Sequence, residues 1–193
     1  MKAKTYIQIL IFFLAIGNGN LVYAQDFTDY YSNKEFASGE NVMYKITPVT
    51  QYGSIYEYEI SNVNNRWHGE PATYKQGLIA NPNEPYYAIS INNEIPYKAI
   101  KEVLSREQIE LFAKEKQSLR FIEVINDQGN VTEIIFSMRP NERILSIHPD
   151  QLYAIEEYLK KHDKKTLNEE AKKLNFILNL NTISFNRLLM EFY

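Results

Sequence analysis

Two apolar, β-branched runs separated by four turn residues do most to limit what this chain can become. Phe121 to Asn126 (FIEVIN) and Val131 to Phe136 (VTEIIF) flank Asp127-Gln128-Gly129-Asn130. Runs of this composition favour strands, and the glycine stands where the chain needs a positive φ to reverse. The segment is predicted as an antiparallel hairpin, and the rest of the chain is read for what pairs with it and covers it.

Upstream the pattern has period two. Val42, Tyr44 and Ile46 fall on one side of a strand, and Ile55 to Ile60 (IYEYEI) forms another, with Gln51-Tyr52-Gly53-Ser54 as the turn between them. Asn62 to Asn65 breaks the second strand, Gly77 and Pro82 punctuate the next stretch, and Tyr86 to Ile91 (YYAISI) reads as a further strand. Ten tyrosines lie between Gln25 and Ile100, against three from Lys101 onward. The first half is therefore expected to be a Tyr-rich antiparallel meander.

Downstream, helix and strand mix. Ser105 caps a helix start, Gln108 closes a capping box, and Leu104 and Ile109 occupy the staple positions. That helix is expected to reach about Gln117 with Ile109, Phe112 and Ala113 inward. Arg143 to Ile147 reads as a short strand. His148-Pro149-Asp150 opens a second helix carrying Leu152, Ile155 and Leu159 on one face, and Lys160, Lys161 and His162 at its negative end. Glu156 with Lys160, and Glu157 with Lys161, are spaced as i,i+4 pairs on its surface. Asp163 to Lys173 reads as a solvated connector or a third helix. Lys173 to Leu180 and Thr182 to Leu189 are apolar and favour strands, although the tail suits a helix as well. The expected fold is a single α+β domain over residues 25–193: a Tyr-rich antiparallel sheet followed by a helix-hairpin-helix-strand unit. Residues 25–97 and 98–193 would form its two lobes.

The address lies at the N-terminus. Met1 to Lys4 is basic, Ile7 to Ile16 is a ten-residue apolar run, and Val22-Tyr23-Ala24 provides small residues at −3 and −1 before Gln25. Ten apolar residues are half of what a membrane span requires. The expectation is a cleaved signal peptide over residues 1–24, periplasmic or secreted location, and no membrane span in the mature form. Cleavage removes Lys2 and Lys4, leaving 169 residues with 19 basic against 24 acidic, net −5. That balance provides no footprint for nucleic acid. The chain has no cysteine, so disulfides, thiolate metal sites and thiol catalysis are excluded.

Catalytic motifs are absent: there is no G-x-S-x-G, S-x-x-K or HExxH, and no phosphate-binding glycine loop. His148 and His162 sit at helix ends, where they act as boundary and dipole-complementing residues. His68 lies in Arg66-Trp67-His68-Gly69-Glu70-Pro71, a loop that holds the only tryptophan. Three scattered histidines make a poor ligand supply, so neither a metal nor another cofactor is expected. A Ser54-His68-carboxylate set would have to assemble in three dimensions. Glu57 and Glu59 alternate with Tyr56 and Tyr58, which reads as a half-solvated strand face. What remains is aromatic surface. Trp67, Tyr74, Tyr86 and Tyr87, with His68, form the candidate binding set, because planar rings with polar tips suit sugar or protein contacts.

Three features together carry a resemblance: the leader ending VYA-Q, the early stretch Gly39-Glu40-Asn41-Val42-Met43-Tyr44, and the block FIEVINDQGNVTEIIF with SIHPDQLYAIEEYLK after it. In these the chain resembles small uncharacterised secreted proteins of gut Bacteroidetes, described only as domains of unknown function. The resemblance implies a periplasmic or extracellular protein with no assigned activity. From about Ser105 to Leu180 the element order is also similar to the C-terminal domain of TonB-type energy transducers, without their tyrosine-proline signature or Pro-rich spacer. The reading that joins these observations is a non-catalytic exported module binding a protein or glycan. The alternatives are a small hydrolase acting on envelope or dietary polymers with His68 oriented by Glu70, and a purely structural envelope component, which would leave an unpaired sheet edge or an apolar face for self-association.

Overall fold

The computed structural model describes residues 27–80 and 94–192. The leader and the expected strand over Tyr86 to Ile91 lie outside the described residues. The elements run β1 (Phe36–Ser38), β2 (Met43–Gln51), β3 (Ser54–Asn62), α1 (Glu94–Val103), α2 (Arg106–Lys114), β4 (Ser118–Ile125), β5 (Val131–Met138), α3 (Pro149–His162), β6 (Ile177–Ser184) and α4 (Phe185–Phe192). Six strands form one sheet in the order β1-β2-β3-β5-β4-β6, every neighbour antiparallel.

The meander over the first three strands forms as its alternation requires. Tyr52 and Gly53, both at positive φ, make the tight turn between β2 and β3, the geometry that matches strand twist. The central hairpin β4–β5 turns through Gly129 at φ 82°, where a side chain would also collide with the Lys165 carbonyl. One residue row then crosses the sheet from Ile46 through Ile60, Phe136 and Phe121 to Asn181. The rings of Tyr44 and Phe121 pack against Phe136 with centroids 6.3 and 6.1 Å away. The helices cover this face: Tyr97, Ile100, Phe112, Leu152, Ile155, Leu159, Phe185 and Leu188 join the same core. Val124 and Ile135, on the other face, are buried apart from it.

Ser105 forms the expected capping box with Gln108, and Ile109, Phe112 and Ala113 are buried; that helix ends at Lys114, three residues early, because Lys116 turns at φ 56° to enter β4. His148 caps α3 with Pro149 in its first turn, and its Nδ1 accepts from the Asp150 N–H at 3.2 Å. The tail resolves into both of its options, strand β6 and then helix α4. The order α2, β4–β5, α3, β6 is the helix-hairpin-helix-strand unit read from the sequence.

Helix α1 occupies a stretch to which the sequence analysis assigned no element; Pro96 lies in its first turn, where the missing N–H costs nothing. Three readings change. Arg143 to Ile147 is not a strand: Arg143–Ser146 is a 3₁₀ turn, which with Ile147 after it places Ile144, Leu145 and Ile147 in the core together. The charged connector is not solvated throughout, since Asp163, Lys165 and Leu167 are buried. Glu156 is not half of a surface pair. It points into the core at 0% exposure while keeping its contact with Lys160.

Candidate binding surface

The chain leaves β3 at Asn62 and crosses the end of the sheet as an arm, described as far as Ala80. Asn65 is buried and donates from Nδ2 to the Ile134 carbonyl at 3.0 Å. The next two main-chain N–H groups, of Arg66 and Trp67, each donate at 3.0 Å to one oxygen of the Glu133 carboxylate on β5. Glu133 projects from the helix-free face, so the arm is seated there by a two-point clamp. Charge-assisted bonds of this kind are stronger than neutral ones. Trp67 Nε1 donates to the Glu70 carbonyl at 2.8 Å, and the His68 N–H donates to Glu70 Oε2 at 2.8 Å. Gly69, at φ 97°, allows this closed turn. The His68 N–H bond holds the Glu70 carboxyl below its ordinary range.

Beyond Ala72 the arm makes a small hairpin. Thr73 bridges Ile79, the Tyr74 N–H donates to the Leu78 carbonyl at 2.7 Å, and Gly77 closes the turn. Its outer side pairs with the segment before β6: Tyr74 bridges Leu174, and the Lys75 N–H donates to the Lys173 carbonyl at 3.0 Å. Tyr74, Lys75, Gln76, Lys172 and Lys173 line an open cleft of about 310 Å³. Lys75 pairs with Asp127, Lys172 with Glu169 and Lys173 with Glu170, so the cleft is lined by cations already neutralised. The pairing with Lys75 holds Asp127 below its ordinary range.

Of the residues singled out by sequence, Trp67 is half-buried, His68 is exposed, and Tyr74 is half-buried with its ring against the core. All three lie on the one arm. Tyr86 and Tyr87 lie outside the described residues. The sequence reading passed over Leu78 and Ile79, 67% and 66% exposed on the returning strand of the small hairpin. Their signal was an apolar pair placed between Gly77 and Pro82, in a loop that composition alone would make polar. It also passed over Glu133, whose role as the seat of the arm has no local signature.

The helix-free face near the middle of β3 carries a polar row. Arg120 and the Ser137 hydroxyl both donate to Glu57 Oε2, at 2.7 and 2.8 Å. Glu59 is held above its ordinary range by burial and by the neighbouring Glu57 charge. A Ser54-His68 pair does not form: Ser54 starts β3 at the β2 turn, whereas His68 comes after its far end, about 26 Å along a nine-residue strand. Nor does Glu70 orient the His68 ring by hydrogen bonding; its oxygen takes the main-chain N–H.

No family model matches the chain, and no curated protein matches it. Among solved structures, one described as a DUF5043 family protein from Bacteroides uniformis is similar at a TM-score of 0.69 and 18% identity, covering 81% of this chain and 88% of that one. The two share a fold. At that identity the likeness is one of architecture. It agrees with the resemblance to uncharacterised Bacteroidetes proteins carried by the leader and the central hairpin block, and it supplies no functional residues to transfer.

Proposed function

We propose that the protein is exported by way of its N-terminal leader and acts as a non-catalytic binding module for a protein or glycan, with the arm of Trp67, His68 and Tyr74 as its contact surface. The observation that carries this reading is the arm itself: an exposed apolar pair, Leu78 and Ile79, on a segment whose main chain is clamped to Glu133 and to Lys173. A loop already held in one conformation loses little entropy when a partner docks, and exposed apolar side chains on it give that partner something to bury. The hydrolase alternative has no comparable support. His68 has no carboxylate hydrogen-bonded to its ring among the described contacts, and Ser137 donates to Glu57, an acceptor already engaged by Arg120.

The test is a thermal-shift screen of the purified protein against glycans and peptidoglycan fragments, and then capture of envelope proteins. A ligand at a hundred times its Kd raises stability by about 2.7 kcal/mol, a clear shift in Tm. Binding that is lost in Trp67→Ala and in a Leu78→Ser/Ile79→Ser double variant supports the reading. Binding unaffected by both variants places the surface elsewhere and overturns it. The mass of the protein recovered from the envelope fraction tests export, with Gln25 expected as the first residue.

A further inference from the structure

β6 is one edge of the sheet, and among the described residues it pairs only with β4. Its eight residues, Ile-Leu-Asn-Leu-Asn-Thr-Ile-Ser, include no charge and no proline. Its register with β4 runs without a shift from Ser118 opposite Ser184 to Ile125 opposite Ile177, so no bulge twists it away. Shortness, charge, proline and bulges are the usual means by which proteins stop an edge from recruiting another strand, because an open row of N–H and C=O groups is a template. The opposite edge, β1, uses the first of these and has only three residues. β6 uses none. It also exposes Leu178 and Leu180 on the helix-free face, Leu180 at 69%.

The strand matches itself. With a two-fold axis through Leu180, normal to the sheet, Leu180 faces Leu180 of the second copy. Asn179 then faces Asn181, Ile177 faces Ile183, and Leu178 faces Thr182. Each pair lies on one face of the combined sheet, as the period of two requires. The leucines meet at the centre on the exposed face. The asparagine amides, each with donors and an acceptor, meet on the other. No charge opposes a like charge anywhere along the strand. A peptide of arbitrary sequence could use the same main-chain row, but it would not call for a side-chain pattern that repeats about its own centre. That pattern singles out a second copy of this chain.

We infer that the protein forms an isologous homodimer in which β6 pairs antiparallel with β6 of a second copy about Leu180, joining two six-stranded sheets into one. This inference does not rest on the binding-module reading, and the Trp67 arm takes no part in it.

The experiment is a concentration series by sedimentation equilibrium on protein expressed from the full-length chain, comparing wild type with Leu180→Lys, Leu180→Glu and Leu78→Lys. The expected result is a dimer for wild type and for Leu78→Lys. Each Leu180 variant alone should dissociate with a Kd raised by about tenfold or more, since like charges then face each other across the axis. Mixing Leu180→Lys with Leu180→Glu should restore the dimer, because the two-fold sets one against the other. Circular dichroism checks that the variants fold. Should Leu180→Lys fail to fold, Thr182→Glu, on the same exposed face, replaces it, with Leu178→Lys as its complementing partner. A monomeric wild type, or a dimer indifferent to these charges, overturns the inference. A mixture that stays monomeric overturns the register centred on Leu180.

Discussion

Two carboxylates lie fully inside the helix-covered core, and they are housed differently. Glu156, on α3, receives the Tyr44 hydroxyl at 2.8 Å on one oxygen, and the Asn62 amide at 3.5 Å and the Lys160 ammonium on the other. Lys160 keeps a quarter of its side chain in solvent, at 26% exposure, so this ion pair has a route to water. Glu123, on β4, has Asn179 at 2.7 Å and Lys165 at 3.0 Å, both on Oε2, while Oε1 has no partner. Lys165 also serves Asp163 at 2.8 Å, and all three side chains are at most 2% exposed. One pocket therefore matches donors to acceptors; the other sets two acids against one base in a dry site. Burial raises the Glu123 carboxyl and Asp163 adds to it, and together they outweigh the pull of Lys165 and Asn179. The contrast teaches that a buried charge is tolerated either by complete hydrogen bonding or by holding on to its proton.

The largest effect that can test this contrast is loss of the shared cation. Lys165→Met should cost about 3–5 kcal/mol in urea unfolding at neutral pH, because two acids are left buried without a counterion. Lys160→Met should cost clearly less, since Tyr44 and Asn62 remain on Glu156. Equal losses would erase the distinction between the two pockets. Adding Glu123→Gln to Lys165→Met should recover part of the loss.

Removing one hydroxyl comes next. Tyr44→Phe leaves a buried carboxylate short of a donor, and about 1–3 kcal/mol should be lost. The same variant alters the alkaline limb. Burial first, then the neighbouring Glu156 charge, raises the Tyr44 hydroxyl far above its ordinary value of 10.0. The folded state thus keeps a proton that the unfolded chain releases. This group's stabilisation is complete below pH 10.0 and is lost as pH rises beyond it, by about 1.4 kcal/mol per pH unit. Tyr44→Phe should make the decline of stability shallower by that amount per unit. An unchanged slope would mean that Tyr44 ionises while still folded.

Glu123 sets the acid-to-neutral side. Its raised carboxyl contributes stability that is full below the ordinary carboxylate value of 4.5 and fades as pH rises through the folded value. Glu123→Gln should remove that fading, so a plot of stability against pH flattens above about pH 5. An unchanged slope above that pH in the variant would mean that Glu123 is already ionised in the folded protein. The smallest change belongs to His68, exposed on the arm: His68→Ala should alter stability by less than about 0.5 kcal/mol. A loss above about 1 kcal/mol would make His68 part of the packed structure and remove it from the contact surface.

What was legible in the sequence was local. The β4–β5 hairpin, the Ser105 capping box, the His148-Pro149 helix start and the alternation of β2 and β3 each depend on residues within a few positions of one another, and each formed. The misreadings share the opposite character. Glu156 has ideal spacing for a surface pair with Lys160, and only the approach of Tyr44, 112 residues earlier, makes its site a buried one. Ile144 and Leu145 look like strand residues, and only the packing of the core places both inside it on a 3₁₀ turn. At the candidate surface, Trp67 and His68 stood out because tryptophan and histidine are scarce, whereas Glu133 is one acid among 24 and only the clamp distinguishes it.

By itself, then, the sequence determined an α+β architecture, most of its turns and caps, and the absence of thiol chemistry, because those depend on backbone preference and composition over short spans. Tertiary structure alone decided which charges lie dry, which main-chain groups seat the arm on Glu133, and which strand is left at the edge of the sheet. Burial and pairing are properties of whatever other segment comes to lie against a residue, and the chain encodes that only through the whole of its packing.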